Sequence, residues 1–394
     1  MNLIYIYMIC ALFLPDVWLV GRRFWSDFRC PQRGFGLAPG GDAVRDRHDR
    51  HRIGRKSTMD RRRFLGSAGI FGLTLAASGL GAPHVARAAA ARITIVSNPG
   101  LENATLNRLM EEQGFLKRYG AETTMVLAEG PAGPFDAIVS GAADVCMVSG
   151  YNMALPRISQ GAPVRIAGAA MRKAALAVFA RPDRVNGLAD LEGKTVAVGP
   201  KLGLLHALML QLLQEKGLDA SRVTFLDAGS NDQAYHAVVE GKADACCSSI
   251  SHLNDRDGLV ILSDGKMWEA LPKYVFQTAY ASEAALRDKR DGLVPVMAAY
   301  GALYGYLMKP EAREAFLSAR RSAQKKFDIL SANAVWEFNQ EQRPYSRNLS
   351  ISEEEITYQQ RMFVGLGAMS QVLPYRDVAD MRPANEAFKI LSAK

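Results

Sequence analysis

The chain is poor in the residues that most often carry catalysis or metal binding. Of its 394 residues, 5 are cysteine and 6 are histidine. Beyond residue 90 the cysteines are Cys146, Cys246 and Cys247, too few for a disulfide-built scaffold, and the adjacent pair lacks metal-ligand spacing. All three read as core thiols. The histidines of that region, His206, His236 and His252, form no H-x-x-x-H pattern, and there is no C-x-x-C, G-x-S-x-G elbow, P-loop or Rossmann fingerprint. The carboxylate groups Asp255/Asp257 and Glu353/Glu354/Glu355 read as a solvated turn and a helix start, where acidic side chains favour the helix dipole. No catalytic residue, metal ligand or cofactor is expected.

Long apolar runs and one-sided charge are also scarce. The opening MNLIYIYMICALFLP is broken by Pro15 and Asp16 before it could span a bilayer. Residues 1–90 hold 14 Lys+Arg against 6 Asp+Glu, while the other 304 residues hold 34 of each. The net charge of +8 therefore resides in the first ninety residues, and the whole-chain pI is no argument for nucleic-acid binding.

What is present begins at Met59. Residues 59–90 combine Arg61-Arg62-Arg63-Phe64-Leu65, a short Gly/Ala/Leu stretch and Ala86-Arg87-Ala88: a positive n-region, an h-region and a small-x-small cleavage site. The arginine run resembles the bacterial twin-arginine export signal, which implies work in the periplasm. The competing reading, a basic helix end before a core helix, fits poorly with Gly66, Gly69, Gly72, Gly79 and Gly81, which weaken a soluble helix. Residues 1–58, Gly/Arg/Asp-rich after the apolar start, have no hydrophobic period and are expected to be disordered or untranslated, with Met59 the start. An N-terminal anchor is the alternative.

The rest alternates strand and helix signals. Strands are expected at 91–96, 122–127, 143–148 and 164–167, and helices over 104–119 (with a break at Gly114), 135–141 after the Glu129–Pro134 loop, and 153–160. The rhythm restarts with strands at 176–180, 193–199, 223–226 and 243–247 and helices at 204–216 and 231–240. GAADVCMVSG (141–150) and GKADACCSSI (241–250) share one plan, an internal repeat that suggests two similar lobes. From about Thr278 the period is helical, over 293–307, 310–327 and 353–367. This pattern predicts an α/β fold with sheets covered on both faces.

In open α/β sheets ligands meet the loops at strand carboxyl ends and the helix N-termini beside them. That rule selects 98–103, 149–152, 200–204 and 247–250. Ser149 and Ser249 offer hydroxyls or serve only as helix caps. Tyr151 offers a ring and a hydroxyl or belongs to the core. Gly150 and Gly203 admit close approach to the backbone, and Lys201 is a nearby cation or a solvated loop residue. His206 is near enough to the crevice to be considered, with a capped or solvated role as the plainer alternative.

The chain resembles the periplasmic substrate-binding proteins of ABC transporters in the nitrate/sulfonate/taurine-binding, NMT1/THI5-like group. The resemblance is carried by Gly114–Gly120 (GFLKRYG), Gly141–Val145 (GAADV), Leu188–Gly199 (LADLEGKTVAVG), Leu212–Leu218 (LLQEKGL) and Gly241–Ala245 (GKADA). It implies a two-lobe periplasmic binding protein fold of type II, with a ligand cleft between lobes that close by hinge motion. The segments then read as lobe 1 over 91–180, lobe 2 over 181–275, and a return to lobe 1 with C-terminal helices over 276–394. Leu176–Ala180 and Val275–Thr278 are the expected crossing strands. The implied site is Asn98, Ser149, Gly150, Tyr151, Lys201, Gly203, Leu204, Ser248 and Ser249. Its partners would be a small-molecule ligand and an inner-membrane ABC permease, with no nucleic acid and a monomeric state. Lys201-Leu202-Gly203-Leu204-Leu205 is more apolar than the hydroxyl-bearing starts of small-oxyanion binders. A solute with an apolar or aromatic body and one anionic or polar end fits better than nitrate. A periplasmic sensor is the alternative. The family's pyrimidine-synthase branch is disfavoured because Cys246-Cys247 does not reproduce its cysteine motif.

Overall fold

The computed structural model describes residues 90–129 and 133–393. The segment expected to be an export signal, apart from Ala90, and the residues before it lie outside the described residues, as does the centre of the Glu129–Pro134 loop. The first half runs β1 (Ile93–Ser97), α1 (Leu101–Glu112), α2 (Phe115–Arg118), β2 (Thr123–Leu127), α3 (Gly133–Val139), β3 (Val145–Ser149), α4 (Tyr151–Ser159) and β4 (Val164–Ala169). Then follow β5 (Leu176–Ala180), β6 (Thr195–Val198), α5 (Leu204–Glu215), β7 (Thr224–Asp227), α6 (Asn231–Val239), β8 (Ala245–Ser249), β9 (Val260–Lys266), α7 (Met267–Ala270) and β10 (Thr278–Ser282). The tail is α8 (Glu283–Asp288), α9 (Arg290–Leu307), α10 (Arg313–Ala323), α11 (Ile329–Gln342), α12 (Glu353–Gly365), α13 (Tyr375–Val378) and α14 (Arg382–Ser392).

Local chemistry accounts for many of the boundaries. Gly114 sits at φ 63° and separates α1 from α2, a conformation that glycine adopts without steric cost. Ser230 with Gln233, and Ser352 with Glu355, form capping boxes that start α6 and α12. The acidic run Glu353–Glu355 is thus a helix start, as its sequence suggests.

Among the described residues two five-stranded sheets result, ordered β2-β1-β3-β10-β4 and β7-β6-β8-β5-β9. They repeat one another in register. Ile95 pairs with Val145 in the first sheet, and Val196 with Ala245 in the second, both parallel. The shared Ala-Asp explains the internal repeat. Asp144 Oδ2 accepts the Thr94 N–H at 2.8 Å, and Asp244 Oδ2 accepts the Thr195 N–H at 2.9 Å. Each carboxylate also holds a cation, Lys289 at 2.9 Å and Arg184 at 3.1 Å. The same side chain therefore pins the start of the equivalent strand in both sheets, β1 in the first and β6 in the second.

The second sheet corrects the expected boundary. Leu176–Ala180 pairs with β8 and β9, so it is a strand of the second sheet and not the end of the first. The chain crosses instead through 170–175 and returns through 271–277. The two paths meet where Ala170 N–H donates to Gln277 O at 2.9 Å and Gln277 N–H to Met171 O at 2.8 Å. Val275–Thr278 is accordingly a passage rather than a strand, and β10 starts only at Thr278. β9 has no clear alternation in VILSDGK and was not expected.

The tail packs α9 against α14 and α2 on the first-sheet side. It also reaches the second lobe. Trp268 and Phe338 rings meet edge-on at 5.2 Å, Asn254 Nδ2 donates to Glu337 Oε2 at 2.9 Å, and Tyr358 hydroxyl donates to Glu215 Oε1 at 3.0 Å. Residues 344–349 run beside the outgoing passage, with Arg172 N–H donating to Pro344 O and Ala169 N–H to Leu349 O, both at 2.7 Å. Among the described residues no helix is long and apolar enough to cross a membrane.

Candidate functional site

The carboxyl ends of β1 and β8 open on one cavity of about 470 Å³. Asn98, Glu102 and Arg320 line it from the first-sheet side, Asp232, Ser249 and His252 from the second, and Gln277 from the crossover. Asn98 Oδ1 accepts the Gly100 N–H at 3.0 Å and fixes the turn into α1. That helix starts on Gly100 with no side-chain cap, so its first-turn N–H groups are not covered by a side chain. Ser249 Oγ accepts the Ser251 N–H at 3.2 Å, which makes it a cap and a wall of the cavity at once.

On the second-sheet side His252 is backed by a ring assembly. His252 stacks on Tyr235 with centroids 3.8 Å apart and planes within 3°. Tyr235 meets Phe179 edge-on at 5.3 Å. The stack aims His252 Nε2 at Asp232 Oδ1, 3.3 Å away. That hydrogen bond is the main reason the Asp232 carboxyl is held below its usual range. Arg320 is 1% exposed, and its guanidinium donates to Glu102 Oε1 at 2.8 Å and Ser331 Oγ at 3.3 Å.

The other expected site residues divide. Ser149 and Gly150 are half-buried on the neighbouring loop, and Ser149 Oγ accepts from the Tyr280 hydroxyl at 3.3 Å. A Cβ placed on Gly150 would lie 4.0 Å from Leu204 Cδ1, so this loop and the start of α5 approach one another across the lobes. Gly203 is required by its turn, since a Cβ there would meet Pro200 O at 2.8 Å. Lys201 is exposed. Ser248 is fully buried, and its hydroxyl donates to Asn231 O at 2.8 Å, bracing the start of α6 from beneath.

Of its two readings, Tyr151 takes the core one and not that of a ligand-facing ring. Its side chain is 0% exposed in the core, and its hydroxyl has no hydrogen-bond partner. The hydroxyl lies near Thr278, whose Oγ1 instead donates to Gly168 O at 2.7 Å. α4 begins at Tyr151 itself, and its side chain packs into the hydrophobic core. His206 Nδ1 accepts the Leu202 N–H at 3.1 Å, and burial, then the Lys201 charge, depress its pKa. The described cysteines, Cys146, Cys246 and Cys247, are core thiols. Burial pushes Cys146 up to about 11 and Cys247 up to about 12.

Sequence reasoning missed Arg320 and Asp232 as parts of the cavity, and did not single out Glu102 within the selected 98–103 loop. Glu102 follows the Asn98-Pro99-Gly100 turn that the strand-end rule selects. Arg320 had no local signal, because it comes from a helix more than two hundred residues away. Among the described residues no group of three or more His, Cys, Asp or Glu is arranged to hold a metal. Donors and acceptors around a small, half-open volume suit holding a polar solute.

Residues 108–312, about half of the chain, match the model of the NMT1/THI5-like family. The chain belongs to that family. A comparison with curated sequences finds no match. Among solved structures, the periplasmic aliphatic sulphonate binding protein SsuA from Escherichia coli superposes with a TM-score of 0.61 at 18% identity, covering 74% of this chain and 92% of that one. SsuA from Xanthomonas axonopodis pv. citri, bound to MOPS, gives 0.59 at 19% identity, over 73% and 98%. The desulfurization enzyme DSZB gives 0.55 at 15% identity, over 76% and 99%. At these identities the likeness is one of fold. This NMT1/THI5-like chain has the two-lobe periplasmic binding protein fold, as its sequence resemblance implies.

Proposed function

We propose that this NMT1/THI5-like protein is the substrate-binding component of an ABC importer. It captures a small organic solute with one anionic or polar end and an apolar or aromatic body, and delivers it to an inner-membrane permease. It acts in the periplasm as a monomer, after export through the twin-arginine signal over 59–90, and it binds its ligand without turning it over. Nucleic acid is not among its partners.

The observation that carries this reading is the shared cavity. Its walls come from strand ends of both sheets and from the crossover, so a solute there touches both lobes and stabilises their closed arrangement. Asn98, Ser149, Gly150, Gly203, Leu204 and Ser249 belong to the loops that would close on it. Lys201 would guard the outer edge, while Tyr151 and Ser248 would shape the site from behind.

The test is a thermal-shift screen of carboxylates, sulfonates and pyrimidines against the chain from residue 91, followed by calorimetry on each hit. A native-state ligand raises apparent stability, and Ser249→Val should then weaken binding of that hit. Turnover of a hit would instead make the chain an enzyme on this fold. Export is tested separately: Arg61→Lys with Arg62→Lys keeps the charge and should leave precursor in the cytoplasm.

A further inference from the structure

The cavity contains one charge that solute capture alone does not explain. Arg320 is 1% exposed, yet its Nε has no hydrogen-bond partner. A guanidinium carries five N–H donors and cannot shed its charge inside a protein, and burying it is costly unless it is paired. Its counter-ion is Glu102, whose side chain is 49% exposed and lines the cavity.

The remaining carboxylates there are engaged elsewhere. Asp232 faces His252 at 3.3 Å, and Asp328 Oδ1 caps α11 by accepting the Leu330 and Ser331 N–H groups at 2.9 and 3.1 Å. Glu102 itself sits in the first turn of α1, a twelve-residue helix without a side-chain cap. Its carboxylate thus bridges the positive end of a helix and a buried cation with an incomplete set of acceptors.

We propose that Glu102 is an internal stand-in for the solute's oxyanion, and that the solute binds by displacing it from Arg320. The inference rests on reading the cavity as the solute site, and it names the head group: a carboxylate or sulfonate that takes over the guanidinium as Glu102 swings toward solvent. Such an exchange keeps Arg320 paired in both states. It also makes Glu102 a built-in competitor that weakens affinity and favours release.

Sulfate is a sufficient probe. The wild-type protein, Glu102→Gln, and Glu102→Gln combined with Arg320→Met are each melted in sodium sulfate and in sodium chloride of matched ionic strength. Glu102→Gln should melt below wild type without sulfate and should bind sulfate roughly tenfold more tightly or better. The double variant should show no sulfate-specific shift. Where Met is not tolerated, Arg320→Lys in the same background serves, because a lysine lacks the planar fork and should lose most of the effect.

Equal sulfate shifts in wild type and Glu102→Gln would overturn the proposal, as would a full shift without Arg320. The two readings fail separately. Solutes that bind the cleft but lack an oxyanion sink the exchange and leave the capture role intact. Arg320-dependent sulfate binding without any organic ligand does the reverse.

Discussion

The internal repeat makes a quantitative demand on Asp144 and Asp244. Both are largely buried, with side chains 13% and 15% exposed. Each accepts a backbone N–H from the start of the parallel strand beside its own, β1 or β6, at 2.8 and 2.9 Å. Replacing either with Ala leaves that N–H without its acceptor. A hydrogen bond to a charged group contributes about 1.5–3 kcal/mol. The accompanying ion pairs add at most about 1 kcal/mol, because Lys289 and Arg184 are substantially exposed. Asp144→Ala and Asp244→Ala should therefore each cost about 2–3 kcal/mol, and by similar amounts. The backbone bonds Asp144 N–H to Thr94 O and Asp244 N–H to Thr195 O, both 2.8 Å, survive the substitution. Asn at either position keeps an acceptor and should cost less than Ala. Urea denaturation, with each transition scored separately, reads the effect. The two changes lie in different sheets and should add within about 0.5 kcal/mol. A loss under about 0.5 kcal/mol at one site, with the full loss at the other, would refute the equivalence of the two lobes.

Tyr151→Ala should destabilise the fold by roughly 3–5 kcal/mol, as for a large core aromatic, whereas Tyr151→Phe should be neutral or stabilising because its buried hydroxyl makes no hydrogen bond; a clear loss in the Phe variant's urea midpoint would disprove this. Tyr358→Phe removes the hydroxyl that joins α12 to Glu215 at 3.0 Å and Gln211 at 3.4 Å, so it should favour lobe opening by roughly 0.5–1.5 kcal/mol. Spin-label distances between the lobes would report it, and an unchanged distribution would exclude a clasp there. His206 has a folded pKa below its ordinary 6.5, so the unfolded chain takes up the proton first. Stability should fall as pH drops below that value and level off below the folded pKa, modestly because the ring is only half-buried. In His206→Gln this part of the pH dependence should vanish, and an identical profile in both proteins would contradict it.

The alternation of short apolar strands with amphipathic helices was legible from the order of residues, because period, glycine stops and capping boxes are local. So was the duplication of GAADV and GKADA, whose aspartates proved to pin equivalent strands. β9 escaped because VILSDGK lacks a period, and its place beside β5 follows only from long-range pairing. The strand-end rule brought Asn98 and Ser249 to the cavity, since the direction of a strand dictates where its loop lies. It misjudged Tyr151, because whether a side chain at a helix start faces cleft or core depends on the helix's rotation against its sheet. By itself, then, the sequence determined the alternating elements up to β8, the doubled plan and the loops at their carboxyl ends. Only the tertiary structure decided that the chain crosses between lobes at 170–175, and that Arg320 lies under the cleft against Glu102. A buried charge and its partner 218 positions away share no local pattern; they meet only because the packing of α10 on α1 brings them together.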